Sequence, residues 1–138
     1  MSEQNKALSR RITEECFNKG NLAVADEFVA ANFTDHGAPP GLAPGAEGFK
    51  QLVAMYRNAF PDMRITIEDV IAEGDKVVMR WTARGTHKGD LMGIAPTGKT
   101  VTVTGIGIDR IANGKIVEHW ESFDQMGMMQ QLGVIPAR

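Results

Sequence analysis

RITIEDVIAEGDKVVMRWTARGTH, residues 64–87, decides the fold class. From Arg64 to Ala72 the period falls to two, as Ile65 and Ile67 between Arg64, Thr66 and Glu68 show, and the segment reads as a strand. Glu73-Gly74-Asp75-Lys76 then supplies a hairpin turn. From Val77 to His87 the alternation resumes, with Val77, Met79, Trp81 and Ala83 on one face and Arg80, Thr82 and Arg84 on the other. Downstream, Lys99–Ile111 is rich in β-branched residues, and Asn113-Gly114 turns it into a fourth strand, Lys115–Phe123. The spacing therefore predicts a four-strand antiparallel meander.

Upstream of Pro61 the period is helical. Leu8, Ile12 and Cys16 recur every fourth residue, with Phe17 beside them, and Gly20 stops this first helix. Asn21 is positioned to cap a short second helix carrying Leu22, Ala25, Phe28 and Val29 on one side. Residues 30–48, AANFTDHGAPPGLAPGAEG, read as a long irregular loop, a length at which loops commonly form lids or binding edges. A third helix runs from about Ala46 to Phe60, with Phe49, Leu52, Val53, Tyr56 and Phe60 on its apolar face, and Pro61 ends it. A last short helix spans about Gln125 to Leu132. Helices first and antiparallel strands after them predict an α+β fold rather than a wound parallel sheet. Gly85, Gly89, Gly105 and Gly107 allow the long strands to bend over the helices into a cone, whose open end is a pocket.

The bulk composition narrows the classes of function. The 138 residues suffice for one domain, residues 1–138, with a real core. Lys plus Arg number 15 and Asp plus Glu 17, so neither net charge nor any basic cluster points to nucleic acid. The N-terminus MSEQNKALSRRITEECF lacks an apolar leader, and no stretch is long and apolar enough to span a membrane, so a cytoplasmic location is the expectation. Cys16 is the sole cysteine and lies on an apolar stripe, so it reads as a small buried hydrophobe rather than a nucleophile.

The phrases AFPDMRITIEDVIAEGDKVVMRWTARGTHKG and NGKIVEHWESFDQMGMMQQLG resemble the SnoaL-like polyketide cyclases, also called predicted ester cyclases. These belong to the nuclear-transport-factor-like superfamily, with ketosteroid isomerase. The resemblance covers nearly the whole chain. It implies a cone-shaped α+β barrel, with three N-terminal helices on a strongly curved antiparallel sheet, an interior pocket and frequent homodimers. It implies intramolecular aldol chemistry driven by an acid/base aspartate in the last strand, matched here by Asp124, with no cofactor. The polar residues that assist that aspartate in the cyclases have no counterpart in the nearly bare strand Val103-Thr-Gly-Ile-Gly-Ile.

The residues themselves give Asp124 two readings. Strict period two puts Ile116, Glu118, Trp120, Ser122 and Asp124 on one face, and Trp120 suggests that this face turns inward. A carboxylate beside an indole in an apolar pocket can remove a proton next to a carbonyl and return it to oxygen. Equally, Asp directly before Gln125-Met126-Gly127 is a favoured helix N-cap. His36 falls in the long loop, where it lines the mouth or is solvated. His87 shares the parity of Met79 and Trp81, which aims it inward as an orienting donor or as a structural histidine. Parity sets His119 away from Asp124, as a structural or interface residue. The three histidines lack ligand spacing, so no metal is expected. Arg80 and Arg84 belong to an exposed or dimer-facing surface. Met126, Met128 and Met129 read first as the packing face of the last helix.

Together these features predict an acid/base enzyme performing aldol-type cyclisation or isomerisation on a small hydrophobic carbonyl compound. Asp124 is the expected catalyst, His36 and His87 the candidate donors, and Tyr56, Phe60, Met79, Trp81 and Trp120 the apolar walls. A non-catalytic ligand-binding module on the same scaffold is the alternative. A hydrolase or dehydratase ranks third, because it needs two cooperating polar groups and the sequence offers one convincing carboxylate. A homodimer through the outer sheet face is expected.

Overall fold

In the computed structural model, which describes residues 2–135, the helical and strand periods meet where the sequence changes from one to the other. Helix α1 (Ser2–Ile12) buries Ile12 and runs into a π-helical turn, Thr13–Asn18, that buries Cys16. The wider turn closes with the amide of Lys19 donating to the carbonyl of Glu14 (3.1 Å), and Gly20 leaves it at φ +75°. The Arg57 guanidinium then donates to the carbonyls of Phe17 (2.7 Å) and Asn18 (3.2 Å), satisfying acceptors that the helix end leaves open. Burial pushes the Cys16 thiol up to about 11, which suits a packed, inert sulfur.

Two sequence expectations need correction here. Asn21 does not cap α2 (Ala23–Phe28): the cap position is Leu22, already at helical dihedrals, and no side chain bonds there. Residues 19–22 link the π turn to α2, and the Asn21 side-chain amide lies 3.4 Å from Glu15 Oε1 instead. The irregular loop expected over residues 30–48 is also shorter than the sequence suggests. The first seven residues after α2, Val29–Asp35, form strand β1, and only the segment beyond is irregular. The sheet therefore has five strands in the order β1-β5-β4-β3-β2, with β1 parallel to β5. Strands β2 (Arg64–Glu73), β3 (Lys76–Thr86), β4 (Thr100–Ala112) and β5 (Lys115–Phe123) form the expected antiparallel meander.

Helix α3 (Gly45–Ala59) lies with α1 and α2 across the concave face of this sheet. Phe49 meets Phe17 and Phe33 edge-to-face at 5.8 and 6.0 Å, an arrangement that aromatic quadrupoles favour. One apolar cluster joins α1, α2 and α3 to the middle of the sheet, and a second, around Phe60, Leu91, Val103, Met128 and Leu132, fills the other end. The sheet stays open, so the shape is a cone rather than a closed barrel.

Helix α4 (Gln125–Leu132) covers β4 where β5 has ended. The amide of Asp124 donates to the Thr104 carbonyl (3.0 Å), and the Gln131 side chain clamps the backbone of Thr102 with two bonds of 2.8 Å. A side-chain amide thus replaces the missing strand neighbour and satisfies otherwise orphaned backbone groups. Among the described residues no helix is long and apolar enough to cross a membrane.

Candidate active site

Between helices and sheet lies a cavity of about 180 Å³. Its wall is mostly apolar, and four of the expected wall residues, Tyr56, Phe60, Met79 and Trp81, line it together with Phe17, Phe33 and Phe123. Met128 of α4 also reaches it, whereas Met126 is exposed. Arg80 is exposed and pairs with Asp69 (2.7 Å) on the outer surface. Arg84, also exposed, contributes to the cavity rim.

The polar residues of the cavity come from unexpected positions. On the concave face Asp109 of β4 pairs with His119 of β5, and Gly107 pairs with Glu121. Asp35, at the end of β1, stands beside His119 on its other side. A continuous chain of hydrogen bonds results. The Ser9 hydroxyl on α1 donates to Asp109 Oδ2 (2.8 Å), and Asp109 Oδ1 lies 2.6 Å from His119 Nδ1. His119 Nε2 lies 3.0 Å from Glu121 Oε1, and Trp81 Nε1 donates to Glu121 Oε2 (3.0 Å).

Burial by itself would lower the pKa of His119. The hydrogen bonds and charges of Asp109 and Glu121 outweigh it and push His119 up to about 10. The ring is therefore an imidazolium at neutral pH, donating from both nitrogens to carboxylates, with no lone pair left to ligate a metal. Among the described residues no His, Cys, Asp and Glu side chains are grouped to hold one. The Tyr56 phenol is raised by burial first and then by the charges of Glu121 and Asp35. It stays protonated, a donor in a cavity whose acceptors are carboxylates.

The expected catalyst lies elsewhere. Asp124 is exposed and caps α4, its carboxylate accepting from the Gly127 amide at 2.9 Å. Trp120 points to the outer face, where it stacks on His36 with 5.1 Å between ring centres. His36 is fixed there by Glu118 (2.7 Å). The reason is a bulge. Ile111 faces Ile116 and Arg110 faces Glu118, so Val117 is an extra residue on β5. Past Val117 the inward set becomes His119, Glu121 and Phe123, while Glu118, Trp120 and Ser122 turn out. His119, read from parity as structural or interfacial, is the centre of the cavity's polar chain.

His87 does point inward, but beyond the end of β3 and not into the cavity. It is fully buried. Its Nδ1 accepts from the Thr97 amide (3.2 Å), so the proton sits on Nε2, which has no hydrogen-bond partner among the described residues. The ring packs 5.5 Å from Phe60, which itself lines the cavity. The ring therefore stands behind the cavity wall rather than in it.

Two glycines make the polar chain possible. A Cβ on Gly105 would run into the Trp81 ring (2.7 Å from Cε2), and one on Gly107 would lie 2.8 Å from Glu121 Oε1 and 3.0 Å from His119 Cε1. The apparently bare strand Val103-Thr-Gly-Ile-Gly-Ile is thus the floor on which Trp81, His119 and Glu121 converge. The legible signal was the pair of glycines two apart, facing β5 across the ladder.

Residues 7–132 match the family model of the SnoaL-like polyketide cyclases. The chain is 30% identical over 120 residues to the nogalonic acid methyl ester cyclase of Streptomyces nogalater, covering 85% of this chain and 89% of that one. It is also 30% identical over 138 residues to the aklanonic acid methyl ester cyclase DnrD of Streptomyces peucetius, covering 96% and 92%. Among solved structures, TsrD from Streptomyces laurentii superposes with a TM-score of 0.88 at 26% identity, over 96% of this chain and 97% of that one. IdmH from Streptomyces antibioticus does so with a TM-score of 0.80 at 35% identity, over 94% and 99%. With its cone, its interior cavity and these relatives, the chain belongs to the SnoaL-like polyketide cyclase family.

Proposed function

We propose that this protein is a cofactor-independent cyclase that closes a ring in a hydrophobic polyketide-derived carbonyl compound by intramolecular aldol addition. One observation carries the reading: the hydrogen-bonded chain Asp109–His119–Glu121–Trp81 opens onto a cavity that is otherwise apolar. An apolar wall binds the fused or unsaturated body of such a substrate, and a few convergent polar groups orient it.

In this reading Glu121 is the base. Each of its oxygens accepts one bond, from His119 and from Trp81, which fixes the plane of the carboxylate. A carboxylate has about four acceptor sites, so lone pairs remain for substrate. Glu121 removes a proton from the carbon next to a carbonyl, and the resulting enolate attacks a second carbonyl carbon. One C–H bond breaks and one C–C bond forms. The C=O π electrons become an alkoxide, which recovers the proton from Glu121. Nothing is oxidised or reduced. The Tyr56 hydroxyl, in the wall of the same cavity, donates to the developing oxyanion, while the imidazolium of His119 holds compensating positive charge beside the base. Asp124, placed outside the cavity, serves α4 as its cap.

The test compares Glu121→Gln with Asp124→Asn, using the methyl esters of aklanonic and nogalonic acids for which the relatives are named. Glu121→Gln should lose at least ~100-fold in kcat, the scale of general acid–base catalysis, while Asp124→Asn stays near wild type. The opposite pattern would return the acid/base role to Asp124. Saturable binding of these esters without turnover would favour a ligand-binding module.

A further inference from the structure

Asp109 is 5% exposed and Ser9 is wholly buried, yet both are polar and they meet across the interface of α1 and the sheet. The sequence gives no local reason for the contact, since the residues are 100 positions apart. Asp109 divides its two oxygens: Oδ2 accepts from Ser9, and Oδ1 faces His119. The carboxylate plane, and with it the direction of the bond to His119, is therefore set from the helix. Terminal carboxylate torsions are broad and roughly two-fold, so without a second partner that plane is poorly determined.

Ser9 is itself held. Its carbonyl accepts from the Thr13 hydroxyl (3.1 Å), at the point where α1 widens into the π turn. Thr13 and Ile12 of that junction line the cavity, so the same turn that builds one wall also aims Ser9. π-helical turns adjoining α-helices occur frequently at functional sites.

We propose that Ser9 is a positioning residue: its hydroxyl fixes Asp109, which orients His119, which orients Glu121. This rests on the reading of Glu121 and His119 given above. Ser9 does not line the cavity and would touch no substrate, so its effect must travel through Asp109. The charged and titratable groups around His119 are Asp109 on β4, Glu121 on β5, Asp35 on β1 and, through Glu121, Tyr56 on α3. None of them offers Asp109 Oδ2 a replacement donor among the described residues.

Ser9→Ala removes the hydroxyl and leaves a buried carboxylate oxygen unpaired. Misplacing a catalytic group by about an ångström costs up to ~100-fold in rate, so kcat should fall roughly ten- to a hundredfold with KM little changed. Ser9→Thr retains the hydroxyl and should recover most of the loss. Ser9→Cys keeps the volume with a weak donor and should behave like the alanine variant, which covers the case in which Ser9→Ala folds poorly. The second readout needs no substrate. The proton shared by His119 Nδ1 and Asp109 should give a downfield NMR resonance in the wild type and in Ser9→Thr, broadened or lost in Ser9→Ala and Ser9→Cys. If that resonance and kcat persist in folded Ser9→Ala or Ser9→Cys while Glu121→Gln is inactive, the positioning role is wrong and the base assignment stands. If Glu121→Gln is itself active, the underlying reading fails and takes this one with it.

Discussion

Replacing His119 by Gln should change how stability depends on pH, and the sign follows from the clamp around the ring. His119 lies between Asp109 Oδ1 and Glu121 Oε1, and its pKa rises from 6.5 to about 10 because these partners outweigh the cost of burial. The folded state thus keeps a proton that the unfolded chain releases near pH 6.5. Where the folded state binds more protons, stability falls as pH rises. The contribution is complete below pH 6.5 and is lost as pH climbs through about 10, with a slope of at most ~1.4 kcal/mol per pH unit. Across that window it amounts to several kcal/mol, a large share of the roughly 5–15 kcal/mol that holds a domain together. Urea unfolding of wild type and variant at intervals from pH 6 to pH 10 gives the comparison. The gap should be widest at pH 6 and close toward pH 10. Cys16 and Tyr56 also titrate at high pH, but both proteins carry them and the difference removes them. Two stability curves that run parallel would refute an imidazolium held between the carboxylates.

Three further outcomes follow from the same geometry. Tyr56→Phe keeps the ring in the wall but removes a hydroxyl donor from the cavity, so kcat on an aldol substrate should drop ~10–100-fold with thermal stability nearly unchanged; unchanged turnover would remove Tyr56 from the oxyanion site. Gly105→Ala puts a methyl group into the Trp81 ring, whose Nε1 holds Glu121, so the variant should lose activity and show altered Trp81 fluorescence, and a fully active variant would show that the indole has room to move. The outer sheet face leaves Ile71 and Ile106 exposed at 64% and 48%; if a two-fold dimer covers them, light scattering should give twice the 15.0 kDa chain mass, and a monomer mass would discard the dimer.

The fold was legible wherever a local period dictated it. Strands β2 to β5 are each nine residues or longer, and two-residue turns join β2 to β3 and β4 to β5, so neighbours in sequence are neighbours in the sheet. β1 was not legible for the converse reason. Val29–Asp35 is short, runs into a proline- and glycine-rich segment, and pairs in parallel with Ile116, Glu118 and His119, far along the chain. Its burial pattern also fails to alternate cleanly, so no period-two signal announces it. The apolar half of the cavity was legible because Tyr56 lies on the apolar face of α3, Phe60 directly follows that helix, and Met79 and Trp81 share a parity on β3, whose register with β4 is unbroken.

The polar half failed at a single residue. Val117 is an ordinary β-branched strand former, and nothing in KIVEHWESF says that it stands unpaired in the β4–β5 ladder. Counting back from Asp124 by twos selects Trp120, a plausible inward residue; counting across a bulge selects Glu121 and His119 instead. A one-residue slip exchanges the two faces of a strand, so strict period two sets Trp120 inward and His119 and Glu121 outward, the reverse of the faces the bulge produces. The physics of the residues argued against that placement independently. Glu118, Trp120 and Asp124 find partners outside, in Arg110, His36 and the α4 backbone. Asp109, by contrast, is an acidic residue inside a β-branched strand, flanked by Ile108 and Arg110 and sharing the parity of Val101 and Val103. A carboxylate on the apolar face of a strand must be paired to be buried. A neighbouring strand can supply its cation on the same face. The register of β4 with β5 brings His119 opposite, and the same inward face then carries Glu121 beside it. The buried aspartate, rather than the terminal one, was therefore the residue from which the site could be built.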